Sequence, residues 1–199
     1  MPSISLTDLV DVVSRSGTPK ARKVATIKNR PPYQPQTDFY KPLREGIVAI
    51  HQQGGDKTAL KALLGSLADK KKAANYPGAV DGYQKWWGKK TLEWFAPARA
   101  IHSHAGVDVA INPELGLIVE GHRMHIKLYL KADPLTKLRC DLVTALMESA
   151  LRPKCQKGDG VGLLDVRKAK MFVPGGDVMQ TTAMVDAELA YIAQLWASL

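Results

Sequence analysis

The chain has 199 residues, 45% of them hydrophobic and 24% charged, a balance that suits one domain or two small ones and excludes wholesale disorder, a fibrous repeat or reliance on a disulfide framework. No apolar run approaches the roughly 18 residues of a membrane span, the first residues lack a secretory signal's charged and apolar regions, and Cys140 and Cys155 form no CxxC pair, so the expectation is a cytoplasmic protein without thiolate-held zinc. The net charge is +9, and all of it falls in residues 1 to 99, where 17 Lys and Arg outnumber 8 Asp and Glu, against 11 of each in residues 100 to 199. Such asymmetry favours a polyanionic partner, nucleic acid before membrane; the alternative is a solvated basic face.

Leu6, Leu9, Val12 and Val13 recur at helical spacing behind Ser5 or Thr7 as N-cap, and Gly17 and Pro19 close that short helix. Residues 20 to 30 read as a basic strand or arm that leads into the proline-rich segment 31–42. Leu43, Ile47 and Ile50 predict a helix that stops at Gly54-Gly55, and Asp56 caps a second one to about Ala74. Tyr76-Pro77-Gly78 breaks the chain before a third helix, roughly Ala79 to Trp87, and a fourth covers Thr91 to Ala100. The period then changes to alternation, giving strands at Val107–Ile111, Leu115–Val119 and Met124–Leu130. A helix opened by Asp133-Pro134 carries Leu138, Leu142, Leu146 and Leu151. Val161–Val166 and Met171–Val173 are two more strands, and Leu189, Ile192, Leu195 and Trp196 mark a terminal helix. The glycines at 158, 160 and 162 read as a turn, because the run enters a strand instead of following one.

Gly121 predicts a tight hairpin with residues 121 and 122 as its turn, which sets Val119 opposite Met124, Leu117 opposite Ile126 and Leu115 opposite Leu128. The second face then carries Glu114, Glu120, Arg123, His125, Lys127 and Tyr129, with Glu114 and Lys127 as diagonal neighbours. A polar sheet face in water is the simpler explanation of that alternation. The three strands near 106–131 and the one at 161–166 are expected in one sheet, with Leu117, Ile126, Leu142 and Leu146 buried together.

The order helix, three strands, helix, strand resembles the αβββαβ core of the restriction-endonuclease-like, PD-(D/E)XK, nuclease superfamily over about residues 90 to 175. Pro113-Glu114 stands where that family has Pro-Asp, and His125-Ile126-Lys127 where it has Asp/Glu-x-Lys. The resemblance implies Glu114 as the first ligand of a Mg²⁺ or Mn²⁺ ion, Ile126 as a carbonyl donor and Lys127 as the catalytic lysine. His125 departs from the pattern, since imidazole suits hard Mg²⁺ less than a carboxylate does. Glu120 or Asp108 is the substitute acid in this reading, unless the site takes a softer metal or is inactive.

His102-x-His104 places two rings on one face of an extended chain, and with His122, His125 and Asp108 these could hold zinc or manganese; solvent-exposed histidines are the plainer account. Tyr83, Trp86, Trp87, Lys89, Lys90, Trp94 and Phe95 mix aromatics with cations as single-stranded nucleic-acid binders do, although Tyr83, Trp87 and Trp94 also fall at core spacing. The expectation is therefore an α+β protein: a basic, mainly helical region at 1–103 followed by a mixed β-sheet core with flanking helices at 104–199, or one continuous domain. Its expected function is metal-dependent phosphodiester hydrolysis, with Lys127, Glu114 and His125 catalytic and Glu114, Glu120 and Asp108 on the metal. Lys20, Arg22, Lys23, Trp86, Lys89, Lys90, Arg123 and Lys131 would hold the nucleic acid. The alternative is a non-catalytic nucleic-acid-binding or accessory protein with an inactive nuclease-like fold.

Overall fold

Strand β1 (Ser3–Ser5) runs straight into α1 (Leu6–Val13), whose N-cap is Ser5: its hydroxyl oxygen accepts the Asp8 N–H at 3.0 Å. The computed structural model describes residues 2–31, 34, 38–65 and 67–199, so part of the proline-rich segment, residues 32, 33 and 35–37, lies outside the described residues. The basic stretch expected as a strand or arm is instead helix α2 (Gly17–Lys28). Pro19 sits in its first turn, where no N–H is needed, and Val24 is buried. Pro19 therefore opens a helix here instead of closing one.

Helix α3 (Lys41–Gln52) is followed by a 3₁₀ segment, Lys57–Leu64, capped by Asp56 as expected. Asp69 then caps α4 (Lys70–Trp87), which continues through Pro77 without a break. Pro77 withholds the N–H that would reach the Ala73 carbonyl, but Ala73 is on the exposed side, and burial of Tyr76, Ala79, Val80 and Tyr83 along the same helix outweighs the lost bond. The helix expected at 91–100 is replaced by β2 (Leu92–Phe95) and β3 (Ala100–His104). Pro97 would cost a helix here one backbone hydrogen bond, and Thr91, Trp94 and Phe95 favour extended backbone.

Strands β4 (Val107–Ile111), β5 (Leu115–Val119) and β6 (His122–Tyr129) follow, then α5 (Lys137–Leu151), β7 (Gly160–Asp165), β8 (Lys170–Phe172) and α6 (Val178–Ser198). They do not share one sheet. β4 belongs to a three-stranded sheet of order β1-β4-β3, in which β1 pairs with it in parallel, while the five-stranded sheet has the order β2-β5-β6-β7-β8. The parallel partner comes from the chain's first residues, beyond the reach of any local pattern.

The hairpin register also differs from expectation by two residues: Val119 faces His122 and Leu117 faces Met124. Glu120 and Gly121 form the turn, both with positive φ (50° and 84°), the type I′ geometry that matches strand twist. A two-residue shift keeps every side chain on its expected face and turns Glu114 and Lys127 from diagonal neighbours into near-opposite ones.

Both faces of the five-stranded sheet are covered. On one, Leu115, Leu117, Ile126, Leu128 and Leu164 pack with α3, the 3₁₀ segment and α4. On the other, Val161 and Leu163 join α1, α2, α5, α6 and the three-stranded sheet. Leu117 and Ile126 therefore lie in one core and Leu142 and Leu146 in the other, so the four expected to be buried together are buried on opposite sides of the sheet. The architecture is mixed α and β, as the α+β reading holds, and no helix among the described residues is long and apolar enough to cross a membrane.

Candidate functional site

The turn at Glu120-Gly121 sets the register that aligns Glu114, just before β5, with Lys127 on β6. Their ion pair measures 2.5 Å, with the lysine side chain 19% and the glutamate 12% exposed. The second carboxylate oxygen accepts the Leu128 N–H at 2.8 Å, and the ammonium also donates to the Asn112 carbonyl at 3.0 Å. The Ile126 carbonyl accepts the Glu114 N–H at 3.1 Å, so it too is used within the ladder.

Two residues back, His125 is buried, 2% exposed, and not on a wet face. Its Nδ1 accepts the Ala98 N–H at 3.1 Å, which leaves Nε2 to carry the proton and donate to Asp159 at 3.0 Å. Asp159 also accepts from Arg123 at 3.0 Å and from the Gln156 N–H at 3.1 Å. Burial raises its pKa, but the His125, Gln156 and Arg123 hydrogen bonds outweigh that and hold the carboxyl below its usual range. Phe95 closes the cluster, its ring 5.1 Å from the imidazole and 3.8 Å from the Arg123 guanidinium.

Mg²⁺ or Mn²⁺ needs carboxylate and water oxygens around one point, and this site does not supply them. Glu114 spends both oxygens on Lys127 and Leu128. Glu120 stands at the hairpin tip, six residues along an extended strand and so about 20 Å away, where it accepts the Thr91 N–H. Asp108 is on the other sheet, bonded to Ser103. Among the described residues, His125, Cys155 and Asp159 bring their donor atoms within 4.8 Å of one another. That trio is a poor cation site nonetheless: the imidazole has no free lone pair, and Arg123 already neutralises the carboxylate.

Of the cations expected to hold nucleic acid, Lys20 pairs with Glu188 at 2.7 Å and Lys23 with Asp11 at 3.2 Å, while Arg123 is committed to Asp159. Trp86 is 6% exposed and packs in the core, and Lys90 donates to its carbonyl. Arg22 and Lys89 are exposed, and Lys131 lines an open groove with Arg15, Asp11 and Asp133. His122 and His125 lie on β6 and His102 and His104 on β3, so four imidazoles do not converge. Asp159 was missed because an acid within a glycine-rich turn carries no sign of the histidine 34 residues away.

Lys61, Lys70, Lys71, Lys85 and Lys89 are exposed on or beside the 3₁₀ segment and α4, and none of them has an acidic partner among the described residues. Lys57 donates to the Gly88 carbonyl and Gln84 to the Lys57 carbonyl, which ties the 3₁₀ segment to the end of α4. No known protein-family model matches the chain, and a search of curated proteins found no significant match.

Proposed function

We propose that the chain binds nucleic acid without cutting it, on a nuclease-like scaffold. The observation that carries the binding half is the lysine-rich layer of the 3₁₀ segment and α4, where residues 57 to 90 hold 8 Lys against 2 Asp and the exposed Lys61, Lys70, Lys71, Lys85 and Lys89 have no acidic partner among the described residues. Such groups gain by displacing counterions from a phosphate backbone. The nuclease-like half draws support from the order α4, β2, β5, β6, α5, β7, which is helix, three strands, helix, strand with β3 and β4 inserted. The non-catalytic half follows from the donor set: a histidine locked by two hydrogen bonds stands in the acid's place, and Glu114 is held by Lys127.

Fluorescence anisotropy and a gel assay on the same labelled oligonucleotides, single- and double-stranded, with Mg²⁺ or Mn²⁺ present, test this. Binding at low salt with intact strands is expected, weakening on the order of 10²–10³ between 50 and 200 mM salt for about five phosphate contacts. Metal-dependent cleavage that Lys127→Ala abolishes would return the protein to the nucleases.

A further inference from the structure

His102 and His104 sit opposite Val109 and Val107 of β4, so both rings share the face of the three-stranded sheet on which α6 packs. Asp186 of α6 reaches between them. Its Oδ1 is 2.7 Å from His102 Nε2 and its Oδ2 3.7 Å from His104 Nδ1. Asp108, by contrast, pairs with Ser103 on the opposite face.

We propose that His102, His104 and Asp186 form a binding site for a borderline divalent cation, zinc above all. Two imidazole nitrogens and one carboxylate are the donors such ions prefer, whereas Mg²⁺ selects oxygen alone. A tetrahedron with bonds of 2.0–2.1 Å has edges of about 3.3 Å; Asp186 stands near that distance from each ring, through a different oxygen for each, while the three donors do not yet gather within 4.8 Å of one another, so one ion touches all three only when the two imidazoles draw together. His104, at 43% side-chain exposure, has room to swing inward, and Asp186, at 29%, leaves a side open for water as a fourth ligand.

Tautomer freedom separates this cluster from the one around His125. Nδ1 of His102 and Nε2 of His104 make no hydrogen bond to any described residue, so each ring can carry its proton on the outer nitrogen and turn a lone pair to the metal. The His102 proton moves from Nε2 to Nδ1 through solvent, and none is lost overall. Asp186 has no lysine or arginine partner among the described residues, so its charge is available to a cation. The site is independent of the nucleic-acid reading.

Equilibrium dialysis of the tag-free, metal-stripped full chain against Zn²⁺ alone, with metal analysis, tests it. The expected result is one zinc per chain, bound at least tenfold more weakly by His104→Ala and by Asp186→Asn, since loss of a direct ligand costs no less than loss of an outer-shell partner. Cys155→Ser should leave binding unchanged, and the cobalt-loaded chain should show no thiolate charge-transfer absorption. Far-UV circular dichroism checks that each variant is folded; His104 lies on an edge strand and is exposed, so its replacement spares the core. Wild-type protein that retains no zinc, zinc held equally by His104→Ala, or a thiolate signature would overturn the proposal.

Discussion

His51 stacks on Trp87 with ring centroids 4.5 Å apart, and its Nε2 shares a 2.7 Å hydrogen bond with the hydroxyl of Tyr83. Burial pushes the imidazole pKa down to about 4. The folded state therefore holds His51 neutral at pH values where the unfolded chain, with an ordinary histidine, binds a proton. This stability is fully present above about pH 6.5 and is lost as pH falls toward 4, by about 2 kcal/mol between pH 7 and pH 5. Urea unfolding of His51→Gln, which keeps a polar group for Tyr83 but cannot titrate, should show a correspondingly flatter pH dependence over that interval. An unchanged slope would place the charge sensitivity elsewhere. The residue scale is also where the sequence was least legible. Glu114 and Lys127 were placed on one face, and they meet. Yet alternation alone predicts a wet face where His125 is buried, and the partners that fix the chemistry of the histidines, Asp159 for His125 and Asp186 for His102 on the other sheet, lie 34 and 84 residues away, beyond any spacing rule.

At the scale of elements, α4 approaches the turn that follows β7 closely enough to need a residue without a side chain. A Cβ built on Gly82 would fall 2.1 Å from the Val166 carbonyl oxygen and 2.9 Å from the Arg167 Cα. Helix propensity alone favours Gly82→Ala by about 1 kcal/mol, but the clash forces the helix off the sheet and separates Tyr83 and Val80 from the core. The variant should unfold at lower denaturant than wild type, and a gain in stability would refute the close contact. The hairpin strands, α5 and α6 were legible because an apolar stripe of fixed period faces a core in each. The region 91–104 was not, because its two strands are short and serve different sheets. Nor was the passage of α4 through Pro77, where tertiary burial overrides a local breaker.

For the molecule as a whole, the sheet is a central layer with helices on both sides, and the first-half charge excess is concentrated on the layer formed by the 3₁₀ segment and α4. The basic excess of the first half was legible in charge counts; which of its lysines have no acidic partner among the described residues was not, because Lys20 and Lys23 find acids on α6 and α1 only after folding. On the proposed function, the lysines of this layer that have no acidic partner among the described residues contact a phosphate backbone. The salt dependence of oligonucleotide affinity, measured by anisotropy for wild type and for a combined Lys61→Ala, Lys71→Ala, Lys85→Ala and Lys89→Ala variant, tests it most directly. Exposed substitutions leave the fold nearly intact, and each lost contact lowers the slope of log affinity against log salt by about 0.9. A slope reduced by roughly 3 to 4 is the predicted result. Equal slopes and equal affinities for the two proteins would contradict the account.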